Sequence, residues 1–435
     1  MKARQHRRPS ARSSQERPPS APGPIAEIEI ARIAGEGDGI SAQGVYAPFT
    51  LPGERVLVSG GGERRDLVEV LQASAERVTP PCPHFGVCGG CALQHWADEP
   101  YLAWKVERLR GTLALQHLET EILPAFAANP RTRRRLALHA RQGDRNVARL
   151  GYKARKSWSL VEVEVCPIAD PALEAALPAL KRLAAPLFQH PKSAPTLHVT
   201  LTATGIDVDI TGVEGRTSGG LSADARMHLA DRAAEGGFAR VTIDGEMAYM
   251  ARQPLVRLGP AAVDLPPGAF LQATPQAEQA MAAFAVQAAQ GATRIADLFC
   301  GVGTFTFRLA AIAPVHAADV TPGAITALSR ATATAPGLHG ITAETRDLVR
   351  RPLLAEDLRK TDVALFDPPR AGAVEQTAEL ARSGVARVIG VSCNAATFAR
   401  DARVLVDAGF RLERVAPIDQ FLWSPHIELI SVFSR

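Results

Sequence analysis

Two kinds of hydrophobic periodicity divide the chain. Between residues 25 and 75 the apolar positions come in short runs: Ile28 and Ile30 alternating with polar residues, then Val45–Ala47, Val56–Val58 and Leu67–Leu71. Gly35, Gly37, Asp38 and Gly39, the Pro52-Gly53 pair and Gly60–Gly62 punctuate them. Short alternating runs separated by Gly and Pro predict strands and turns, here a small β-barrel. From about residue 267 the pattern changes. An Ala-rich helix over 276–289 precedes an apolar strand over 294–299, and a helix over 305–312, a strand over 315–320 and a helix over 323–333 follow. Strands over 363–366 and 387–391, a helix over 395–408 and a strand over 427–433 complete the series. Strands alternating with helices predict an α/β fold with a doubly wound, mainly parallel sheet. Between the two regions, alternating runs such as Leu197–Ala203 and Ile206–Ile210 mark an α+β domain, and a helix is predicted over 102–115.

The expected organisation is therefore a tail over 1–24, a β-barrel over 25–78, a central domain made of 79–96 and 130–266, and an α/β domain made of 97–129 and 267–435. A chain of 435 residues with 46% hydrophobic positions is long enough for such cores. No apolar run reaches the roughly 18 residues that span a bilayer. The N-terminus lacks the apolar stretch of a secretory signal, so a cytoplasmic protein without a membrane partner is expected. The net charge of +4 is unevenly spread: residues 1–20 hold six Lys/Arg against one Glu, with Pro and Ser between, a composition that predicts disorder. A second basic run lies inside the folded part, with ten Lys/Arg from Arg131 to Lys156 opposed only by Asp144. It reads either as a solvated face or as a phosphate-contacting surface.

Candidate chemistry lies at the ends of the predicted α/β strands. In Asp297-Leu298-Phe299-Cys300-Gly301-Val302-Gly303-Thr304 the glycines allow a sharp turn into a helix and close approach of a ligand, although the third glycine of a dinucleotide site is missing. Asp319 ends the next strand, where a carboxylate can accept from ribose hydroxyls; the same residues also suit a plain turn and a cap. Asp367-Pro368-Pro369-Arg370 ends a third strand. Cys393 stands just before a helix, where a thiol pKa can be lowered, although buried cysteines are also ordinary small hydrophobes. Glu428 opens the last strand and can act as a base or simply as a polar edge residue; His426 is the alternative base. Three of the six cysteines, Cys82, Cys88 and Cys91, fall within ten residues, which in a reducing compartment favours metal or cluster ligation over disulfides.

Taken together these motifs resemble the 5-methyluridine RNA methyltransferases, and most of all the branch that modifies 23S ribosomal RNA and carries an iron–sulfur cluster. The resemblance runs from about residue 25 to the C-terminus. Gly37-Asp38-Gly39 and Leu51-Pro52-Gly53-Glu54 look like a TRAM domain, an RNA-binding small barrel. Cys82, Cys88, Cys91 and the later Cys166 are similar to the four ligands of the family's 4Fe–4S cluster. Zinc would satisfy the same ligand count, but only Cys88 and Cys91 have the Cys-x2-Cys spacing common in zinc sites. Phe270-Leu271-Gln272 is similar to the cofactor-contacting Phe-x-Gln motif. The resemblance thus implies a Rossmann-like class I methyltransferase domain in which Gln272, Phe299, Asp319 and Asp367 contact S-adenosylmethionine. It further implies that Cys393 adds to carbon 6 of a uracil and that Glu428 removes the proton from carbon 5.

Arg370 stands where amine methyltransferases carry a base-stacking aromatic. Ala395 replaces the proline, Asp319 the glutamate and Thr304 the asparagine that are frequent in the family. The competing readings are methylation of an amine or a ribose, the same uridine reaction on the T-loop of tRNA, and an RNA-binding module with a degenerate methyltransferase fold. Oligomeric state is not legible in the sequence.

Overall fold

The computed structural model describes residues 23–144, 147–190, 193–213 and 220–435, so nearly all of the expected basic tail lies outside the described residues. The chain divides into two units, residues 1–77 and 78–435.

In the first unit five antiparallel strands form a curled sheet. Ile25–Ile33 lies at its centre, flanked by Gly39–Ser41 and then Tyr46–Ala47 on one side, and by Arg55–Ser59 and then Asp66–Gln72 on the other. A bulge between Ile30 and Arg32 bends the central strand, and a bridge from Tyr46 to Arg64 curls the ends of the sheet toward one another. Ile30, Ala47, Val56 and Val58 fill the interior. Glu54 is also buried there, its carboxylate held by Arg77 at 2.6 Å and by the Leu51 amide at 2.8 Å.

The second unit contains two large sheets. The first has seven strands, ordered Leu160–Glu162, Arg149–Lys153, Arg135–Arg141, Thr196–Thr202, Gly205–Thr211, Arg240–Ile243 and Glu246–Met250. Helices Pro171–Ala175, Leu177–Ala184 and Ala223–Glu235 supply the remaining wall of its core.

The other sheet carries the site. Ile341–Thr345, Val315–Asp319, Ile295–Leu298, Val363–Phe366 and Arg387–Ser392 lie parallel in that order. Glu428–Ser434 then inserts antiparallel between Arg387–Ser392 and Arg411–Asp419. Fully buried Val, Ile, Leu and Phe on these strands account for the continuous apolar runs in the sequence. The periodicity missed strand Ile341–Thr345, an edge strand with few apolar residues, and Arg411–Asp419, whose alternation is broken by a bulge between Leu412 and Arg414. It also missed helix Val374–Arg382. Hairpin Leu255–Leu258/Ala261–Asp264, assigned from pattern to the central domain, packs Val256, Leu258, Val263 and Leu265 against Val302, Phe307 and Leu328 of the parallel sheet's side. No helix among the described residues is long and apolar enough to cross a membrane.

Helix Asp98–Ala114 starts four residues earlier than the periodicity suggested, because Asp98 and Glu99 suit the positive end of a helix. It is tied to the far end of the sheet by a buried polar cluster. Lys105 Nζ reaches Asp419 Oδ1 at 2.7 Å, Tyr101 donates to Asp419 Oδ2 at 2.8 Å, and Arg108 donates to the Pro425 carbonyl at 2.7 Å. Neither side chain of the Lys105–Asp419 pair has measurable solvent exposure. Removing one partner strands a buried charge, a loss of about 3–5 kcal/mol. Lys105→Met is accordingly expected to lower the unfolding free energy of this unit by about that amount in urea titrations, and Lys105→Met with Asp419→Asn by clearly less. A double variant as unstable as the sum of the singles would contradict the coupling.

Candidate active site

Every chemical group singled out in the α/β region sits at the carboxyl edge of the parallel strands, where such sheets bind ligands. Strand Ile295–Leu298 delivers Phe299 into the left-handed region at φ 63°, an unusual setting for a bulky side chain. Gly301 and Gly303 follow at φ 54° and 96°. A Cβ at Gly303 would stand 2.5 Å from the Phe307 ring, whereas one at Gly301 would meet nothing within 4 Å. The first glycine thus leaves room for a ligand, and the second lets the following helix pack. Asp319 braces the turn, accepting from the Gly301 amide at 3.0 Å and the Thr321 amide at 2.8 Å.

Asp297 was overlooked as a site residue. A carboxylate within an otherwise apolar strand was the available signal. It is fully buried; Thr306 donates to its Oδ2 at 2.6 Å, while Oδ1 has no hydrogen-bond partner. Burial first, with the negative charges of Asp367 and Asp319 added, lifts its carboxyl to about 7. Burial and then Asp319 raise that of Asp367 to about 7 as well. Three neighbouring carboxyls, one with an orphan oxygen, leave unbalanced negative charge at this strand edge, a setting that favours a cationic ligand.

The placement of Cys393 is set by strand register. Ser392 pairs with Leu429 across the antiparallel ladder, so one step further on Cys393, just past its own strand, comes opposite Glu428, which stays paired with Ile418 on its other side. Asn394 caps helix Ala395–Asp407, its side chain accepting from the Ala396 amide at 3.1 Å and donating to the Arg370 carbonyl at 3.3 Å. That bond pins the Asp367–Arg370 segment to the Cys393 turn. The sequence suggested a thiol pKa lowered by the helix end, but Cys393 shifts upward. Burial dominates, the Glu428 and Asp367 carboxylates add to it, and Arg370 opposes them. Burial and then Asp367 also raise Glu428, to about 8.

Gln420 is a second residue the sequence did not single out. Its Nε2 donates to Gln272 Oε1 at 2.7 Å and to Glu428 Oε2 at 2.9 Å, and its Oε1 accepts from the Ala273 amide at 2.8 Å. Gln272 in turn donates to Asp367 Oδ2 at 3.4 Å. Two amides therefore join the carboxylate on the Asp-Pro-Pro turn to the one on the last strand. Nothing in the local sequence around Gln420 marks this role, which arises from two loops meeting.

The basic run separates into different jobs. Arg134 is buried, donating to the Gln272 carbonyl at 3.0 Å and pairing with Glu278 at 2.5 Å. Arg135 donates to the Leu271 carbonyl at 3.0 Å and lies over the exposed Phe270 ring. These two arginines hold the Phe270–Gln272 segment in place, which neither sequence reading anticipated.

Cys82, Cys88, Cys91 and Cys166 line one cavity of about 260 Å³ together with Tyr152, Phe421 and His426. Burial, with smaller contributions from neighbouring cysteines, pushes the Cys91 thiol up to about 12. Among the described residues no group of three or more His, Cys, Asp or Glu side chains is gathered closely enough to hold a metal ion as it stands. His426, the alternative base, borders this cavity with its ring edge-on to Phe421.

Residues 261–435 match the tRNA (uracil-5-)-methyltransferase family model. The chain is 30% identical to the 23S rRNA (uracil(1939)-C(5))-methyltransferase RlmD of a Marinomonas species, over 99% of both chains. It belongs to the RNA uracil-C5 methyltransferase family. The enzyme is also 64% identical to an uncharacterized RNA methyltransferase of Caulobacter vibrioides, over 94% of this chain and all of the relative. Its fold matches that of the Pyrococcus abyssi tRNA (uracil-54, C5)-methyltransferase solved with S-adenosyl-L-homocysteine. The TM-score is 0.71 and the identity 22%, across 94% of this chain and 99% of the other. S-adenosylmethionine is the methyl donor and RNA the substrate of this transferase.

The raised carboxyls give the free enzyme a distinctive pH response. Asp297, Asp367 and Glu428 bind protons more tightly folded than unfolded, so the native state holds more protons between the ordinary carboxyl range and about pH 7–8. Stability of the free enzyme should therefore fall as pH rises through that window. A cationic ligand favours the ionised carboxylates, so S-adenosylmethionine should bind with proton release and more tightly at pH 8 than at pH 6. Calorimetry in buffers of different ionisation enthalpy checks this, and Asp367→Asn should reduce the number of protons released. Affinity independent of pH would show that these carboxylates do not face the ligand.

Proposed function

We propose that the enzyme methylates carbon 5 of a uridine through a covalent adduct in which Cys393 is the nucleophile and Glu428 the base. The observation that carries this reading is the register that sets Cys393 beside Glu428, with Asp367 joined to the same carboxylate through Gln272 and Gln420. The Cys393 thiolate adds to carbon 6, its electron pair forms the sulfur–carbon bond, and the ring electrons shift toward carbon 5 and oxygen 4 as an enolate. S-adenosylmethionine supplies the electrophilic methyl group that carbon 5 takes, the sulfonium–methyl electron pair staying on sulfur as the departing S-adenosylhomocysteine. Glu428 then accepts the proton from carbon 5, and the sulfur–carbon bond breaks to return the thiolate. Gln420 orients the Glu428 carboxylate, and Asp297, Phe299, Asp319, Asp367 and Gln272 line the donor side. Arg370 is the cation placed to favour the thiolate over the thiol.

Glu428→Gln keeps the shape and the hydrogen bonding but cannot accept a proton. Methyl transfer should then proceed once and stop, leaving RNA bonded to Cys393 as a band that survives denaturing electrophoresis and carries label from the donor methyl. Cys393→Ala should abolish product while leaving donor affinity within a few-fold, and should erase the band in the double variant. Normal turnover by Glu428→Gln would move the base role elsewhere.

For the RNA, ribosomal RNA is favoured over the T-loop of tRNA. The Marinomonas relative named for 23S rRNA is similar over the full length, whereas the tRNA enzyme of known structure supports the fold alone. The curled sheet of residues 25–78 is read as a TRAM-like RNA-binding barrel, residues 79–96 and 130–266 as a central domain whose last hairpin packs on the methyltransferase side, and residues 97–129 and 267–435 as the methyltransferase domain of a cytoplasmic enzyme. Cys82, Cys88, Cys91 and Cys166 are assigned to a 4Fe–4S cluster. Support comes from their convergence on one cavity. Tetrahedral zinc with bonds of about 2.3 Å needs its four sulfurs nearly touching, whereas a cubane holds them further apart. Such a cluster would tie the cysteine loop to the central sheet. Protein expressed and purified without oxygen should contain about four irons per chain and be brown; stoichiometric zinc without iron would overturn the assignment.

A further inference from the structure

The hairpin formed by Arg149–Lys153 and Leu160–Glu162 takes no part in the chemistry above. No acidic residue occurs from Leu150 to Val161, while Lys153, Arg155 and Lys156 stand together at its tip. Trp158 projects from the same tip with 78% of its surface exposed. The Lys153 ammonium sits 3.8 Å from the centre of its indole ring. An indole this large in water is costly to leave uncovered, and isolated aromatics at the surface are usually tucked against apolar neighbours. Here the ring is held out by a built turn. The Ala154 amide donates to the Ser159 carbonyl at 2.8 Å, the Ser157 amide to the Ala154 carbonyl at 3.1 Å, and the Ser159 amide to Ser157 Oγ at 3.1 Å. Lys156 occupies the left-handed region at φ 52° to complete it.

The tip is also fastened to the loop that carries the cysteines. The Gly89 amide donates to the Lys153 carbonyl at 2.9 Å and the Arg155 amide to the Val87 carbonyl at 3.2 Å, with a bridge between Cys88 and Ala154. A Cβ on Gly89 would stand 2.9 Å from that Lys153 carbonyl, so the approach demands glycine. Further along, the Ala92 and Leu93 amides both donate to the Trp423 carbonyl, at 2.9 and 3.0 Å. One short loop thus links the basic tip to the segment that leads into Glu428.

We propose that the Lys153–Ser159 tip is a docking platform for an unpaired stretch of the substrate RNA. One base stacks on Trp158 and the adjoining phosphates meet Lys153, Arg155 and Lys156. The proposal rests on the RNA-methyltransferase reading and adds a contact remote from the reacting base. A platform of this kind is sequence-tolerant, because every base offers a π-face, and it favours single strands, because paired bases are already stacked. The cysteine loop would hold a strand bound there in fixed relation to the catalytic segment.

The test is binding of a fluorescein-labelled fifteen-nucleotide oligouridylate, followed by anisotropy across a salt series, with a blunt RNA duplex of the same length as the comparison. Trp158→Ala should weaken oligouridylate binding at least about fivefold, as expected for loss of one stacked base. It should leave the salt slope, the thermal midpoint and the affinity for S-adenosylmethionine unchanged. Trp158→Phe should recover most of the lost affinity. Lys153→Ala with Lys156→Ala should instead make the salt slope shallower, by about 0.7 per charge removed. Trp158→Ala binding within twofold of wild type, or losing the same factor on the duplex, would overturn the platform. So would a wild type that methylates bulk ribosomal RNA yet does not bind the oligouridylate, and that result would leave the enzymatic reading standing.

Discussion

The segment that holds Gln420 against Glu428 depends on a buried charge immediately beside it. Asp419 ends strand Arg411–Asp419 inside the protein, where an unpaired carboxylate would be forbiddingly expensive. Lys105 and Tyr101 satisfy it from helix Asp98–Ala114, and Asp419 also accepts from the Phe421 amide at 3.2 Å. Gln420 lies between those two fixed points. The direction of its side chain, and hence its grip on Gln272 and Glu428, follows from an ion pair that cannot relax without exposing a charge. A helix that precedes the central sheet in sequence thereby positions a group at the chemical end of the molecule.

Around this anchor the site is built from groups in conflict with their surroundings. Asp297, Asp367 and Glu428 are all buried and all shifted upward, and Cys393 shifts upward beside them. In the free enzyme the carboxyls are partly protonated near neutrality, so the thiol does not face the full repulsion of ionised neighbours. On the proposed reading, a cationic donor beside Asp297 and Asp367 draws them toward their ionised forms. In the base role proposed for Glu428, a pKa near the working pH is well matched to taking up a proton and giving it back. The folding cost of burying these carboxyls is the physical counterpart of that readiness.

The cysteine-bearing segment contributes in a different way. It is short and poor in regular structure, yet its backbone bonds to the Arg149–Lys153 hairpin on one side and to Trp423 on the other. A segment without a core of its own needs cross-links to keep such bonds in place, and four thiols around one cavity are suited to provide them.

The sequence by itself determined the alternation of strands and helices, the glycine turn after Leu298, and the positions of Cys393, Glu428 and Asp367 at strand ends. These are local properties: periodicity reports which face is buried, and a cysteine before a helix or a glycine pair after a strand carries its own geometry. Tertiary structure decided what those residues meet. Gln420 became a bridge only because the loop after Asp419 folds onto the segment before helix Pro275–Ala288. Arg134, one of many basic residues in a run, was drawn inside by Glu278 and the Gln272 carbonyl. The Cys393 thiol shifted opposite to the direction its helix position suggested, since burial and two carboxylates outweigh a helix end. Each depends on contacts between residues more than a hundred positions apart or on neighbouring strands, and the field at a buried atom is set by everything packed around it.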